Sequence, residues 1–256
     1  KVLKMSHVMD AVVKSVNFIR AHSLNHRQFK NFLISIDSDF LEIPLHCDVR
    51  WLSRGKVLSR FFELRPFIAE FLLSKQKEIP EISDPNWIQD LAFLVDIVEH
   101  LNHLNLNLQG KNNLIYNIVD FVSSFKMKIS LWLNQLSHQN FCHFHNLQSL
   151  NSAVINTDTY VTMLQDLKMH FDMRFQDFEA IKPQLELFCR PLAATIENVP
   201  PELQLELIDI MNTTLLKHAY NDLDVIDFYR SLRPLQYPNI LNFAAQFITI
   251  FASTYT

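Results

Sequence analysis

The sequence predicts a mainly α-helical fold, and three observations carry that reading. Only two glycines occur in 256 residues, against the ~7% of an ordinary chain. Apolar residues recur at spacings of three and four over most of the length, the period of helices with one buried face. Phenylalanine is abundant at 21 residues, which suits helix-on-helix packing through large side chains. The glycine scarcity also excludes most phosphate-cradling loops, which need backbone without Cβ where a ligand comes close.

The elements follow in order. Met5, Val8, Met9, Val12, Val13 and Val16 form one apolar stripe and predict a first helix. A second covers Arg27 to Ile36, with Phe29, Phe32, Leu33 and Ile36 facing inward. Phe40 to Val49 is short, apolar and interrupted by Pro44, so a strand or extended segment is expected there. A helix resumes from Ser53, the expected N-cap, with Val57, Phe61, Leu64 and Ile68 on one side and Pro66 kinking or ending its first part. Residues 74–84 are polar and read as a loop. Asp84-Pro85 is a cap followed by proline in the first turn, and opens a helix to about Leu108.

Gly110 closes that helix. Leu114, Ile118, Val122, Phe125, Ile129, Trp132 and Leu136 then mark the clearest helix of the chain. Residues 137–158 read as a loop. A long helix is expected from Thr159 to Cys189, kinked or restarted at Pro183. Pro191 and Pro200-Pro201 bracket the next break, and helices follow at 201–217, 224–232 and 238–252.

Composition bounds the function. Apolar residues make up 48% of the chain, too many for a disordered tail. No apolar run reaches the ~18 residues that span a bilayer, so no membrane partner is expected. The net charge of −4 does not steer the molecule towards nucleic acid, and any such contact must come from a local patch. Cys47, Cys142 and Cys189 are far apart and odd in number, which predicts reduced thiols. The start Lys1-Val2-Leu3-Lys4 lacks an initiator Met and reads as a piece of a longer protein.

Arg50, Arg54, Lys56, Arg60 and Arg65 place five cations in sixteen residues, with Glu63 as the single acid. A helical wheel puts Lys56, Arg60 and Glu63 on a solvated face. Arg54 falls on the apolar side at a helix start, where free N–H groups favour an anion. Trp51 beside it offers a stacking surface for a base, although a core tryptophan with surface arginines explains the same residues. His138, Cys142, His143 and His145 crowd one stretch. Imidazole and thiolate are zinc ligands, but no second cysteine sits at finger-like spacing, and a His-rich surface loop is the default. Asp37, Asp39 and Glu42, and Asp222, Asp224 and Asp227, read as caps and turns rather than as converging metal ligands. No nucleophile elbow is present.

Three stretches in order resemble one family. They are Met5-Ser6-His7-Val8-Met9-Asp10, then Asp48-Val49-Arg50-Trp51-Leu52-Ser53-Arg54-Gly55 running on through Phe61-Phe62-Glu63-Leu64, and Trp87-Ile88-Gln89-Asp90-Leu91-Ala92-Phe93-Leu94-Val95-Asp96. Glu202-Leu203-Gln204-Leu205-Glu206-Leu207-Ile208-Asp209 and Phe251-Ala252-Ser253-Thr254-Tyr255 extend the likeness. Together they resemble hAT-family, Charlie-like transposase-derived domains, as in general transcription factor II-I repeat domain-containing and zinc-finger BED-type proteins.

The resemblance implies the helical insertion domain of a hAT transposase with fragments of an RNase H-like α/β core. Residues 1–50 would lead from that core into the insertion, 51–235 form the helical insertion, and 236–256 return to the core. It also implies that two catalytic aspartates lie upstream of Lys1 and that the glutamate lies beyond Thr256. The expected chain is therefore not an enzyme and holds no cofactor or metal. It would be nuclear and associated with DNA through Arg50, Trp51, Arg54 and Lys56. The alternatives are a protein-interaction scaffold with nuclear protein partners, or part of an active transposase whose acids lie outside. The family's dimerisation region lies mostly beyond Thr256, which leaves the oligomeric state open.

Overall fold

A computed structural model describes residues 3–36, 38, 40, 42–44, 51–109, 115–150 and 155–252, with side chains omitted at 51–53 and from 249 onward. Among the described residues the regular structure is entirely helical. The α-helices are α1 (Ser6–Arg20), α2 (Ser23–Ser35), α3 (Trp51–Ser74), α4 (Pro85–Leu108), α5 (Ile115–Ser137), α6 (His145–Ser149), α7 (Asp158–Arg174), α8 (Gln176–Cys189), α9 (Pro201–Asn212), α10 (Thr214–Asp222), α11 (Val225–Ser231) and α12 (Pro238–Ala252). Short 3-10 turns occupy Pro80–Ser83, Pro191–Ala193 and Ile196–Asn198. The chain divides into two compact units, Lys1–Asn107 with Phe125–His170, and Leu108–Ser124 with Phe171–Thr256.

In the first unit α1, α2 and α3 pack on one another. Val8, Val12 and Val16 of the expected stripe are buried, joined by Ala11, Ser15 and Ile19, while Met9 and Val13 are only half-buried. In α2, Phe29 and Leu33 are buried, whereas Phe32 is half-buried and Ile36 is exposed beyond the helix end. Val57, Phe61, Leu64 and Ile68 of α3 are all buried. This helix opens at Trp51, so Ser53 lies inside it and is not its cap.

Pro66 neither ends nor replaces α3, which continues to Ser74. Proline lacks the N–H that would bond the carbonyl of Phe62 one turn back. The Arg65 guanidinium fills that gap, donating to the Phe62 oxygen at 2.6 Å and lying 4.0 Å from the Phe62 ring centre. Asp84 caps α4 as expected, its side chain accepting from Asn86 N at 2.9 Å. The expected strand of residues 40–49 lies mostly outside the described residues, and residues 40 and 42–44 are irregular.

Leu91 to Val98 of α4 are buried on every side, including Asp96. Asp96 accepts three hydrogen bonds from the start of α6, from Asn146 N at 3.0 Å, Asn146 Nδ2 at 2.7 Å and Leu147 N at 3.0 Å. This helix interrupts the loop expected at 137–158. Around it Phe93 stacks on Phe144 at 5.7 Å and on Tyr160 at 4.3 Å. The Tyr160 hydroxyl donates to Asp90 Oδ1 at 2.8 Å, and Asp90 Oδ2 lies 2.8 Å from His7 Nε2. One carboxylate thus joins α1, α4 and α7.

The long helix expected from Thr159 to Cys189 is broken at Phe175, eight residues before Pro183, which sits inside α8. Lys168 to Asp177 bury no side chain, so the apolar rhythm gave no warning of the break. The helix expected at 201–217 is also two. Thr213 is extended (φ −86°, ψ 109°), and its hydroxyl donates to Asp209 O at 2.7 Å while Asn212 Nδ2 donates to Ile208 O at 2.8 Å. These side chains offer the last carbonyls of α9 a local alternative to helix continuation.

The second unit has its own core, including Leu185, Phe188, Leu207, Ile210, Phe228 and Tyr229. Two tyrosines satisfy the end of α8. Tyr229 donates to Phe188 O at 3.0 Å and Tyr220 to Cys189 O at 2.8 Å, carbonyls that have no helical N–H partner. Glu206 of α9 holds the start of α12, accepting from Asn239 N at 3.1 Å, Asn239 Nδ2 at 2.8 Å and Ile240 N at 2.9 Å.

Asp96→Asn replaces an acceptor oxygen by a donor against an N–H and should destabilise the first unit by about 1–3 kcal/mol. Native-state hydrogen exchange should then speed up at Asn146 and Leu147 and stay unchanged at Asn239 and Ile240. Glu206→Gln should produce the reverse pattern, with a smaller loss because its site is more exposed.

Candidate nucleic-acid interface

The predicted site residues sit at the start of α3. Arg50 lies outside the described residues, and Trp51 is described only as the first residue of the helix. Arg54 is half-buried, with its Nε shielded from solvent, and Lys56 is exposed. Gly55 lets α4 come close, because a Cβ there would run into the Asn102 amide.

Lys56 borders a cleft of about 500 Å³ lined also by Phe40, Pro44, Ser59, Arg60 and Glu99. The Arg60 guanidinium lies 3.4 Å from the centre of the Phe40 ring, and its Nε is 3.4 Å from Glu63 Oε2. Arg60 is therefore half-buried between an aromatic ring and a carboxylate, not on the solvated face the wheel assigned to it. The wheel could not show this because Phe40 comes from a distant irregular segment. Arg65 is committed to the Pro66 gap, and burial lowers its pKa. Of the five cations, Arg54 and Lys56 are the described ones beside the helix start, and Glu63 and Glu99 share the cleft lining with Lys56.

The His-Cys stretch is exposed, as a surface loop would be, and carries local hydrogen bonds. His138 Nδ1 donates to Asn134 O at 2.7 Å, and His143 Nδ1 donates to Gln135 Oε1 at 2.9 Å while lying 3.1 Å from Cys142 Sγ. Gln135 Nε2 donates to that sulfur at 3.2 Å. No group of three His, Cys, Asp or Glu able to hold a metal ion occurs among the described residues.

The acidic clusters divide in the same way. Asp224 caps α11, accepting from Asp227 N at 2.9 Å, and Asp227 pairs with Arg230 at 3.1 Å. Glu42 accepts from Arg20 at 3.1 Å, and Asp37 and Asp39 lie outside the described residues.

His100 was not singled out by any motif. It stacks on Trp132 at 4.2 Å and donates from Nε2 to His143 O at 2.8 Å. Burial lowers its pKa, against the opposing pull of that carbonyl and of Glu99. Burial likewise pushes the Cys189 thiol up to about 11, with Asp120 adding to the shift. The signal for His100 was only a histidine two residues beyond the buried run of α4.

The FAM200/GTF2IRD2 helical domain matches residues 1–137, a stretch that contains α1 to α5 and the whole of the site just described. This chain belongs to that family. It is also similar to general transcription factor II-I repeat domain-containing protein 2 of Mus musculus, 39% identical over 253 residues, which cover 99% of this chain and 27% of the relative. The same protein of Bos taurus is 37% identical, covering 99% of this chain and 26% of the relative. The chain thus spans about a quarter of the length of these family relatives. No solved structure matches it. No described helix is long and apolar enough to cross a membrane.

Because the folded His100 resists protonation, acid should unfold the first unit in part through it. As pH falls below 6.5, the unfolded chain binds a proton that the folded one refuses, and stability is lost until the pH passes the lowered folded value. His100→Gln should flatten that part of the stability–pH curve measured by urea denaturation. Thiol reagents at neutral pH should label exposed Cys142 at least ~10-fold faster than Cys189, as read by peptide mass mapping.

Proposed function

We propose that this chain is a non-catalytic, transposase-derived helical domain of a nuclear protein, associated with DNA through the first turns of α3. On this reading residues 51–235 correspond to the insertion domain of a hAT transposase. Residues 1–50 and 236–256 then belong to an RNase H-like core whose catalytic acids are outside the chain. Membership of the FAM200/GTF2IRD2-like family and the transcription-factor names of its relatives support the nuclear setting.

The observation that carries the DNA reading is the placement of Trp51, Arg54 and exposed Lys56 on the first two turns of a 24-residue helix, directly after Arg50. A helix start favours phosphate, and an adjacent aromatic ring can stack on a base. On this reading the acids Asp90, Asp96, Glu206 and Asp224 serve the fold.

A second reading, a protein-interaction scaffold, is favoured by Leu205, Leu215 and Leu235, which are 77%, 80% and 101% exposed. Fluorescence anisotropy with a labelled DNA duplex separates the two. DNA binding should weaken by roughly tenfold or more between about 50 and 200 mM salt. It should weaken further in Arg54→Ala/Lys56→Ala, provided circular dichroism shows that the variant is folded. No binding at low salt by the folded chain would overturn the DNA reading and leave the scaffold.

A further inference from the structure

The last turns of α3 and the segment that follows enclose a groove of about 510 Å³. Its floor is apolar, formed by Ala69, Leu72, Leu73, Ile79, Pro80 and Ile82. Leu73 is 74% exposed although it lies on that floor. Pro66, Ala69 and Leu73 follow one another at spacings of three and four along α3, all wholly or partly open to solvent. That is the ridge a second helix packs against, and a small residue in its middle permits close approach.

The charge on the rim selects the occupant. Glu70 and Glu78 line the groove and are exposed, and no cation among the described residues pairs with either. Lys77, the one cation in the lining, has its ammonium 5.9 Å from the Phe18 ring centre. Lys75, two residues before it, donates to Gln28 at 2.7 Å. The lining therefore sets two unpaired carboxylates against one ammonium, a net negative rim over an apolar floor.

We propose that this groove is a docking site for a basic amphipathic helix of another protein. The helix would seat apolar side chains between Leu73 and Ile79 and place lysines or arginines against Glu70 and Glu78. Such helices are recognised by anchors one and two turns apart. The site lies twenty residues from the start of α3 along the same helix and does not depend on DNA binding there.

The test uses the whole chain and two fluorescein-labelled peptides of about four helical turns, one of leucine and lysine, one of leucine and glutamate. The lysine peptide should bind, at least ~10-fold more tightly than the glutamate peptide, and more weakly as salt rises. Leu73→Glu should lower its affinity at least ~10-fold, whereas Leu215→Glu, far from the groove in sequence and in the other unit, should not. Glu70→Lys/Glu78→Lys should reverse the preference between the two peptides. Equal binding of both peptides, no binding of either, or a loss that is the same in the Leu73 and Leu215 variants would overturn the proposal. Circular dichroism of each variant separates lost docking from lost folding.

Discussion

Helix starts expose N–H groups that the helix itself cannot bond, and a chain of many short helices multiplies them. Here two carboxylates answer that demand across the sequence. Asp96 reaches α6 from fifty residues away, and Glu206 reaches α12 from more than thirty. Helix α6 has five residues, too few to nucleate alone, so its existence rests on Asp96 and on the aromatic packing of Phe144. Without it, Phe144 and Leu147, both fully buried, would lose their frame, and Phe144 its place against Phe93 and Trp132. The charge is also dear to keep inside. Burial raises the Asp96 pKa, while the two backbone N–H bonds and the Asn146 side chain pull it back down. Protonation would relieve the desolvation, yet it would turn one acceptor into a donor facing those amides.

The same logic runs at the other polarity. Tyr229 and Tyr220 supply the donors that the end of α8 lacks, and Arg65 supplies the one that Pro66 removes from α3. Polar side chains inside this protein therefore act mainly as replacements for missing backbone partners. The raised pKa values of Tyr160, Tyr229 and Cys189 come first from burial.

What could be read from sequence follows from range. Helices with one apolar stripe, such as α1 and the later turns of α5, were legible because the signal lies within a few residues. Asp84-Pro85 and Asp224 were legible because a cap acts on its own neighbours. Breaks at Phe175 and Thr213 were not, since the first falls where no side chain is buried and the second depends on side-chain bonds to the preceding turn. Asp96 was not singled out, because its partners lie fifty residues away. At the candidate site the place of Arg60 was not legible, because it is decided by Phe40 and Glu63 together.

Charge then sorts the surface of the first unit along a single helix. Arg54 and Lys56 mark one end of α3 and Glu70 the other, separated by about 20 Å at 1.5 Å per residue. At ~8–10 Å screening length in ordinary salt, each end presents its own field to a partner with little interference from the other. A net charge near neutrality is therefore compatible with two partners of opposite charge on one helix. Between the two ends, Arg60 and Arg65 keep their charge while lying against the Phe40 and Phe62 rings, and Glu63 stands beside Arg60 to offset it.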